Sequence, residues 1–202
     1  MHELTCDPFY ELIDGEYSRC IIEYCLVKSD FPYRGMRSHR EALLFAMLKI
    51  IERYLADTRA AEEKWANEVD DDFFPWSLDF GKAQAHPIGA EEFLFVPTVV
   101  RKVKGGSVIY DRADPDVDAG ERIPYWYAFL EPPQWFDCTP DDFRRVNDAL
   151  FPEGTGELEV LEWATDWSNY FDAGHEWWGA ACWSVYDRRL DRLAVLFASA
   201  TD

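Results

Sequence analysis

Four polar residues in one short stretch could do chemistry: Asp166, Asp172, His175 and Glu176, within ATDWSNYFDAGHEWWG. A histidine beside carboxylates can shuttle a proton, and three such groups converging can hold a metal. Trp163, Trp167, Trp177 and Trp178 bracket them, which suggests a tryptophan-walled site with Trp167, Trp177 and Trp178 as ligand-binding candidates. The spacing is unspecific, however. His175-Glu176 is not HExxH, and Asp172 shares a face with His175 only if the stretch is helical. No metal is assigned. Nor is a cofactor, because the chain carries no phosphate loop, dinucleotide fingerprint, nucleophile elbow or paired-cysteine pattern. The simpler reading has His175 and the carboxylates capping turns and accepting hydrogen bonds from indoles. Cys138 and Cys182 read as inert thiols, one lacking a nearby base in sequence and the other in a buried strand.

The elements that must position this stretch are the ones that follow it. Trp177 to Tyr186 is aromatic, small or β-branched, and Leu193 to Ala200 is nearly all apolar, so two strands flank the polar connection Asp187 to Asp191. Neither strand alternates between apolar and polar, as expected of strands covered on both faces. The hairpin is therefore expected at the centre of a sheet, with its many alanines letting a helix approach closely. A four-residue and a five-residue loop both fit, and they give opposite registers.

The run Asp172 to Gly179, followed by Trp183, Val185-Tyr186-Asp187 and the final ASATD, resembles the C-terminal signature of an uncharacterised bacterial family. The likeness covers about the last quarter of the chain. It implies a bacterial, cytosolic protein and carries no activity, cofactor or site residue with it.

Upstream, residues 7–27 read as one or two short helices broken near Gly15, and Ser38 to Glu41 has the spacing of a capping box. Leu44, Met47, Leu48, Ile51 and Leu55 recur three and four apart, which predicts the buried stripe of a helix packed on the sheet. Arg34, Arg37 and Arg40 form a local basic patch expected to meet the protein's own carboxylates. A further helical stretch or a continuation should end at Asp70 to Asp72. Phe73 to Pro97 reads as an irregular connection, with His86 in a loop. Phe93 to Val103 is an edge or bulged strand because of Pro97, and Gly105-Gly106 turns it back onto Ser107 to Tyr110. Asp114, Asp116 and Asp118 alternate as in a calcium loop, but Ala119 and Tyr125 stand where glycine and glutamate are needed, so 111–121 reads as an acidic loop. Tyr125 to Leu130 reads as a strand. Thr139-Pro140 opens a helix with Phe143, Val146 and Leu150 buried, and Glu157 to Ala164 is a strand.

Taken together the pattern predicts one α+β domain, 1–202, with N-terminal helices (about 7–70) packed on a largely antiparallel sheet (about 93–202) that has one inserted helix. With 39 acidic and 20 basic residues the net charge is -19, which disfavours nucleic acid and fits either acidity kept for solubility or a basic protein partner. Five cysteines without a CxxC pair point to a reducing cytoplasm. No leader-type stretch opens the chain and no apolar run approaches a membrane span, so a soluble protein is expected. Oligomeric state is not encoded legibly. The leading functional expectation is a cytosolic, non-enzymatic binding protein, such as an immunity-type inhibitor of a basic toxin. The alternatives are a hydrolase or metal-dependent enzyme built on Asp172, His175 and Glu176, and a small-molecule or peptide binder with an aromatic groove.

Overall fold

The computed structural model describes residues 1–65, 75–96, 100–102, 108–110, 123–133, 138–176 and 178–200. In chain order the elements are β1 (His2–Glu3), α1 (Pro8–Glu16), β2 (Ile22–Lys28), α2 (Met36–Trp65), β3 (Ala85–Ile88), α3 (Ala90–Phe93), β4 (Val100–Lys102), β5 (Val108–Tyr110), α4 (Tyr125–Leu130), α5 (Pro140–Leu150), β6 (Leu158–Trp163), a 3-10 turn at Asn169–Phe171, α6 (Asp172–His175), β7 (Ala180–Asp187) and β8 (Arg192–Ser199). Six strands form one antiparallel sheet in the order β1-β2-β8-β7-β6-β3, and β4 pairs with β5 in a separate ribbon. The fold is α+β, as the element pattern predicts.

The hairpin of β7 and β8 lies in the middle of the sheet, and all eight residues of β7 are buried. Its side chains alternate between two cores. Ala181, Trp183, Val185, Ala194, Leu196 and Ala198 face α1, α4 and α5, whereas Ala180, Cys182, Leu193, Val195 and Phe197 face α2. On α2 the contact is made by Ala42, Leu43, Ala46 and Met47, so small residues on both sides bring the helix close. The pair Asp187–Arg192 closes the ladder and settles the register in favour of the four-residue loop. That turn is built by side chains. Asp187 accepts from the amides of Arg189 and Leu190 (2.9 and 3.2 Å), Tyr186 donates to Asp191 (2.9 Å), and Asp191 takes the left-handed conformation (φ 47°) that aspartate tolerates.

Several expectations are corrected. Residues 22–28 are a strand, not a helix: Ile22, Tyr24 and Leu26 go to one core and Cys25 and Val27 to the other, a period of two hidden in a spacing that also fits three-and-four. The division into a helical and a sheet part therefore fails, because β2 pairs with the C-terminal β8 and β1 pairs with β2. Helix α2 starts at Met36 and runs unbroken to Trp65, and Ser38 inside it accepts from the Arg34 amide (2.9 Å) while Glu41 holds Arg34 and Arg37, so no capping box forms. Its buried face is rotated from the predicted stripe. Leu44 and Leu48 are each 41% exposed, and Ala46 and Ile50 are buried instead.

Tyr125 to Leu130 is a helix, α4, entered from Pro124. Its aromatic residues have high strand propensity, but Tyr125 stacks on Phe93 (4.7 Å) and meets Trp183 and Phe143, and Phe129 meets Phe143, so packing on the sheet decides the conformation. More than one helix is thus inserted among the later strands. Phe93 ends helix α3 instead of opening a strand, and His86 lies in edge strand β3, paired with Glu162 across the ladder at 2.9 Å. Helix α5 forms as predicted, with Thr139 and Asp142 in a reciprocal capping box and Phe143, Val146 and Leu150 buried. Strand β6 matches Glu157 to Ala164, and β4 and β5 pair as the expected ribbon. Asp70 to Asp72, Gly105-Gly106 and the acidic loop 111–121 lie outside the described residues.

Gly174 fits only as glycine. A Cβ there would stand 2.2 Å from the Gly179 carbonyl oxygen, in a contact already fixed by the Gly179 amide donating to Gly174 (2.7 Å) and the Gly174 amide donating to Ser199 (3.0 Å). Gly174→Ala is expected to cost about 1–3 kcal/mol of overpacking, read as a lower urea midpoint.

Candidate functional site

The segment between β6 and β7 places the four predicted site residues at the surface. Asp166, Asp172, His175 and Glu176 are all exposed. His175 ends α6, and its Nε2 is hydrogen-bonded to the Thr165 hydroxyl (2.9 Å), not to a carboxylate. Asp166 and His175 share a shallow groove of about 560 Å³ with Gln84, Ala85, His86 and Thr165, and Asp172 and Glu176 do not line it. Among the described residues no group of three or more histidine, cysteine, aspartate or glutamate side chains is placed to hold a metal ion.

The tryptophans do not wall this groove. Trp167 is buried on the α2 side of the sheet against Phe80, Phe171 and Phe197, and Trp178 is buried on the other side against Tyr127. Trp177 lies outside the described residues. Two of the indoles are served by other groups: Trp178 donates to the Glu131 carbonyl (2.6 Å) and Trp163 to the Ser184 hydroxyl (2.8 Å). All five cysteines are free thiols, and burial pushes Cys182 well up and Cys20 and Cys25 up to about 12, so these three stay protonated.

A second constellation, around His39, leaves no sign in the sequence. This histidine sits in the first turns of α2 with no exposed surface, its Nδ1 2.7 Å from the Ser184 hydroxyl of β7 and its Nε2 2.9 Å from the Tyr33 hydroxyl, with Glu159 at 3.9 Å. Serine, histidine and acid are the parts of a nucleophilic triad. Here they are packing. Ser184 is fully buried in mid-strand and its oxygen accepts from Trp163. The Ser184 oxygen accepts from Trp163, so its own proton goes to Nδ1 and Nε2–H donates to Tyr33. Burial lowers the His39 pKa to about 4, with Glu159 opposing, so the ring is neutral.

A deeper polar feature than the His175 groove is a cleft of about 530 Å³ at the other end of the sheet. Helix α1 supplies Tyr10, Ile13, Asp14 and, at its C-cap, Tyr17; α2 supplies Ile50, Arg53, Tyr54 and Asp57; Glu3 of β1 and Ile22, Glu23 and Tyr24 of β2 lie between them. Four carboxylates thus face one guanidinium. Arg53 is ion-paired with Glu3 and stands 4.0 Å from Glu23. Burial raises the Glu23 pKa, Arg53 lowers it, and the carboxylates of Asp57 and Asp14 add to the rise, so negative charge here is only partly compensated. Elsewhere Arg34 and Arg37 are held by Glu41, Arg145 by Glu16, Arg188 by Glu159 and Arg192 by Asp7. Arg40, the third member of the basic patch, instead donates to the Ala83 carbonyl (3.0 Å).

The fold and cleft define the class, an α+β protein with a helix layer on each face of an antiparallel sheet and an acid-rimmed, tyrosine-lined cleft at one edge. No family model, curated protein or solved structure matches the chain. No helix among the described residues is long and apolar enough to cross a membrane.

Proposed function

We propose that the protein is a non-enzymatic binding protein of the bacterial cytosol that masks a basic surface of a partner protein, in the manner of an immunity-type inhibitor. The observation that carries this reading is the cleft, where Glu3, Asp14, Glu23 and Asp57 outnumber Arg53 in a chain of net charge -19. A field of that sign steers cationic partners and repels phosphate backbones. The resemblance of the C-terminal run to a bacterial family supports the setting.

The test is capture of the partner from the native cytosol by crosslinking, followed by association kinetics. The partner is expected to be basic, and its association rate to fall at least tenfold from low to about 0.3 M salt, as screening over a shortened Debye length removes the steering. A partner whose association ignores salt overturns the reading.

A further inference from the structure

Inside the cleft the outer edge of β2 is only partly covered by another described strand. Strand β1 covers β2 only over Val27 and Lys28, and its last bond runs from the Leu4 amide to the Leu26 carbonyl (2.8 Å). That bond shows which way the ladder faces: Leu26 turns its peptide groups outward, so by alternation Tyr24 and Ile22 do too, while Glu23, Cys25 and Val27 turn theirs to β8. The Leu26 amide is taken by the Tyr10 hydroxyl (2.8 Å). Among the described residues no strand pairs with the outer edge from Ile22 to Cys25. This edge forms the floor of the cleft, with α1 on one side and α2 on the other.

We propose that the cleft receives an extended segment of the partner, which adds as a strand along β2 at Ile22–Tyr24 and alternates basic with apolar residues. The inference rests on the charge-masking reading and names its site. Unpaired backbone groups on a sheet edge are the template for strand addition, with main-chain bonds giving affinity and flanking pockets giving specificity. The two flanks differ here. Side chains of an added strand on the α2 side meet Glu23 and Asp57, whose charge Arg53 only partly offsets and which call for lysine or arginine; those on the α1 side meet Tyr10, Ile13 and Tyr17, with Asp14 beside them, which call mainly for apolar groups.

The probe is an octapeptide alternating lysine and valine, with a copy N-methylated at every peptide bond and a copy with the lysines and valines in separate blocks. The alternating peptide is expected to slow amide exchange at Tyr24 at least tenfold at saturation and to bind at least tenfold more tightly than either control. Glu23→Lys, at a half-exposed side chain whose folding circular dichroism can verify, is expected to weaken binding at least tenfold. Equal binding of the N-methylated copy, with the Tyr24 amide unchanged, overturns strand addition and leaves charge masking standing. Failure of the alternating peptide to bind, or binding indifferent to Glu23→Lys, overturns the cleft as its site. Charge masking itself falls only with a salt-indifferent captured partner.

Discussion

Arg192→Met is expected to lower folding stability by about 3–5 kcal/mol, the range found when one member of a buried ion pair is removed. Arg192 opens β8 with a side chain 7% exposed, ion-paired with Asp7 and donating to the Leu150 carbonyl at 2.7 Å. Each partner is the end of something. Asp7 is the N-cap of α1, where its other oxygen accepts from the Phe9 amide (3.0 Å), and Leu150 is the last residue of α5. One guanidinium thus ties two helix ends to the central hairpin. Methionine fills similar volume but leaves a carboxylate 17% exposed without its cation and a terminal carbonyl without a donor. Arg192→Lys should recover only part of the loss, since one ammonium cannot span both acceptors. Urea unfolding of the single variants and of Arg192→Met with Asp7→Asn checks the claim, the double variant losing less than the sum. A loss under about 1 kcal/mol for Arg192→Met, the level of an exposed pair, would show that the tie is not formed.

The protein is also expected to be acid-labile through His39. Its pKa is lowered from 6.5 to about 4 in the folded chain, first by burial, against a weaker opposing pull from Glu159. The unfolded chain therefore binds this proton first as pH falls. Stability from His39 is complete above pH 6.5 and drains away between about 6.5 and 4, by roughly 3 kcal/mol, since each tenfold change in proton affinity is worth about 1.4 kcal/mol. Protonation also breaks the relay, because Nδ1 can no longer accept from Ser184. His39→Gln, which lacks the titration, should be less stable at neutral pH yet show a flatter profile across that window. A wild-type profile no steeper than that of His39→Gln would refute the assignment.

What the sequence made legible was local or doubly determined. The hairpin was readable because both of its strands are apolar on both faces, and α5 because its cap and proline are neighbours. Strand β2 was not, since Ile22, Tyr24, Cys25 and Val27 satisfy a helical spacing as well as a strand's, and only the β8 partner chooses. Nor was α4, whose YWYAFL favours a strand until Phe93, Phe143 and Trp183 close around it. The candidate site shows the same divide. Asp166, Asp172, His175 and Glu176 draw the eye as neighbours in sequence, whereas the cleft collects Glu3, Asp14, Glu23 and Asp57 from separate elements, and His39 and Ser184 meet across 145 positions. No short window carries such a pattern.

The pairing of β2 with β8 bears on biosynthesis. Residues 22–27 cannot complete their ladder until residues 193–198 have been translated, so through most of synthesis the tyrosine-rich N-terminal third holds an unfinished strand beside the ribosome. Nascent chains stalled before Arg192 should therefore recruit holding chaperones, and chains released after Ser199 should not.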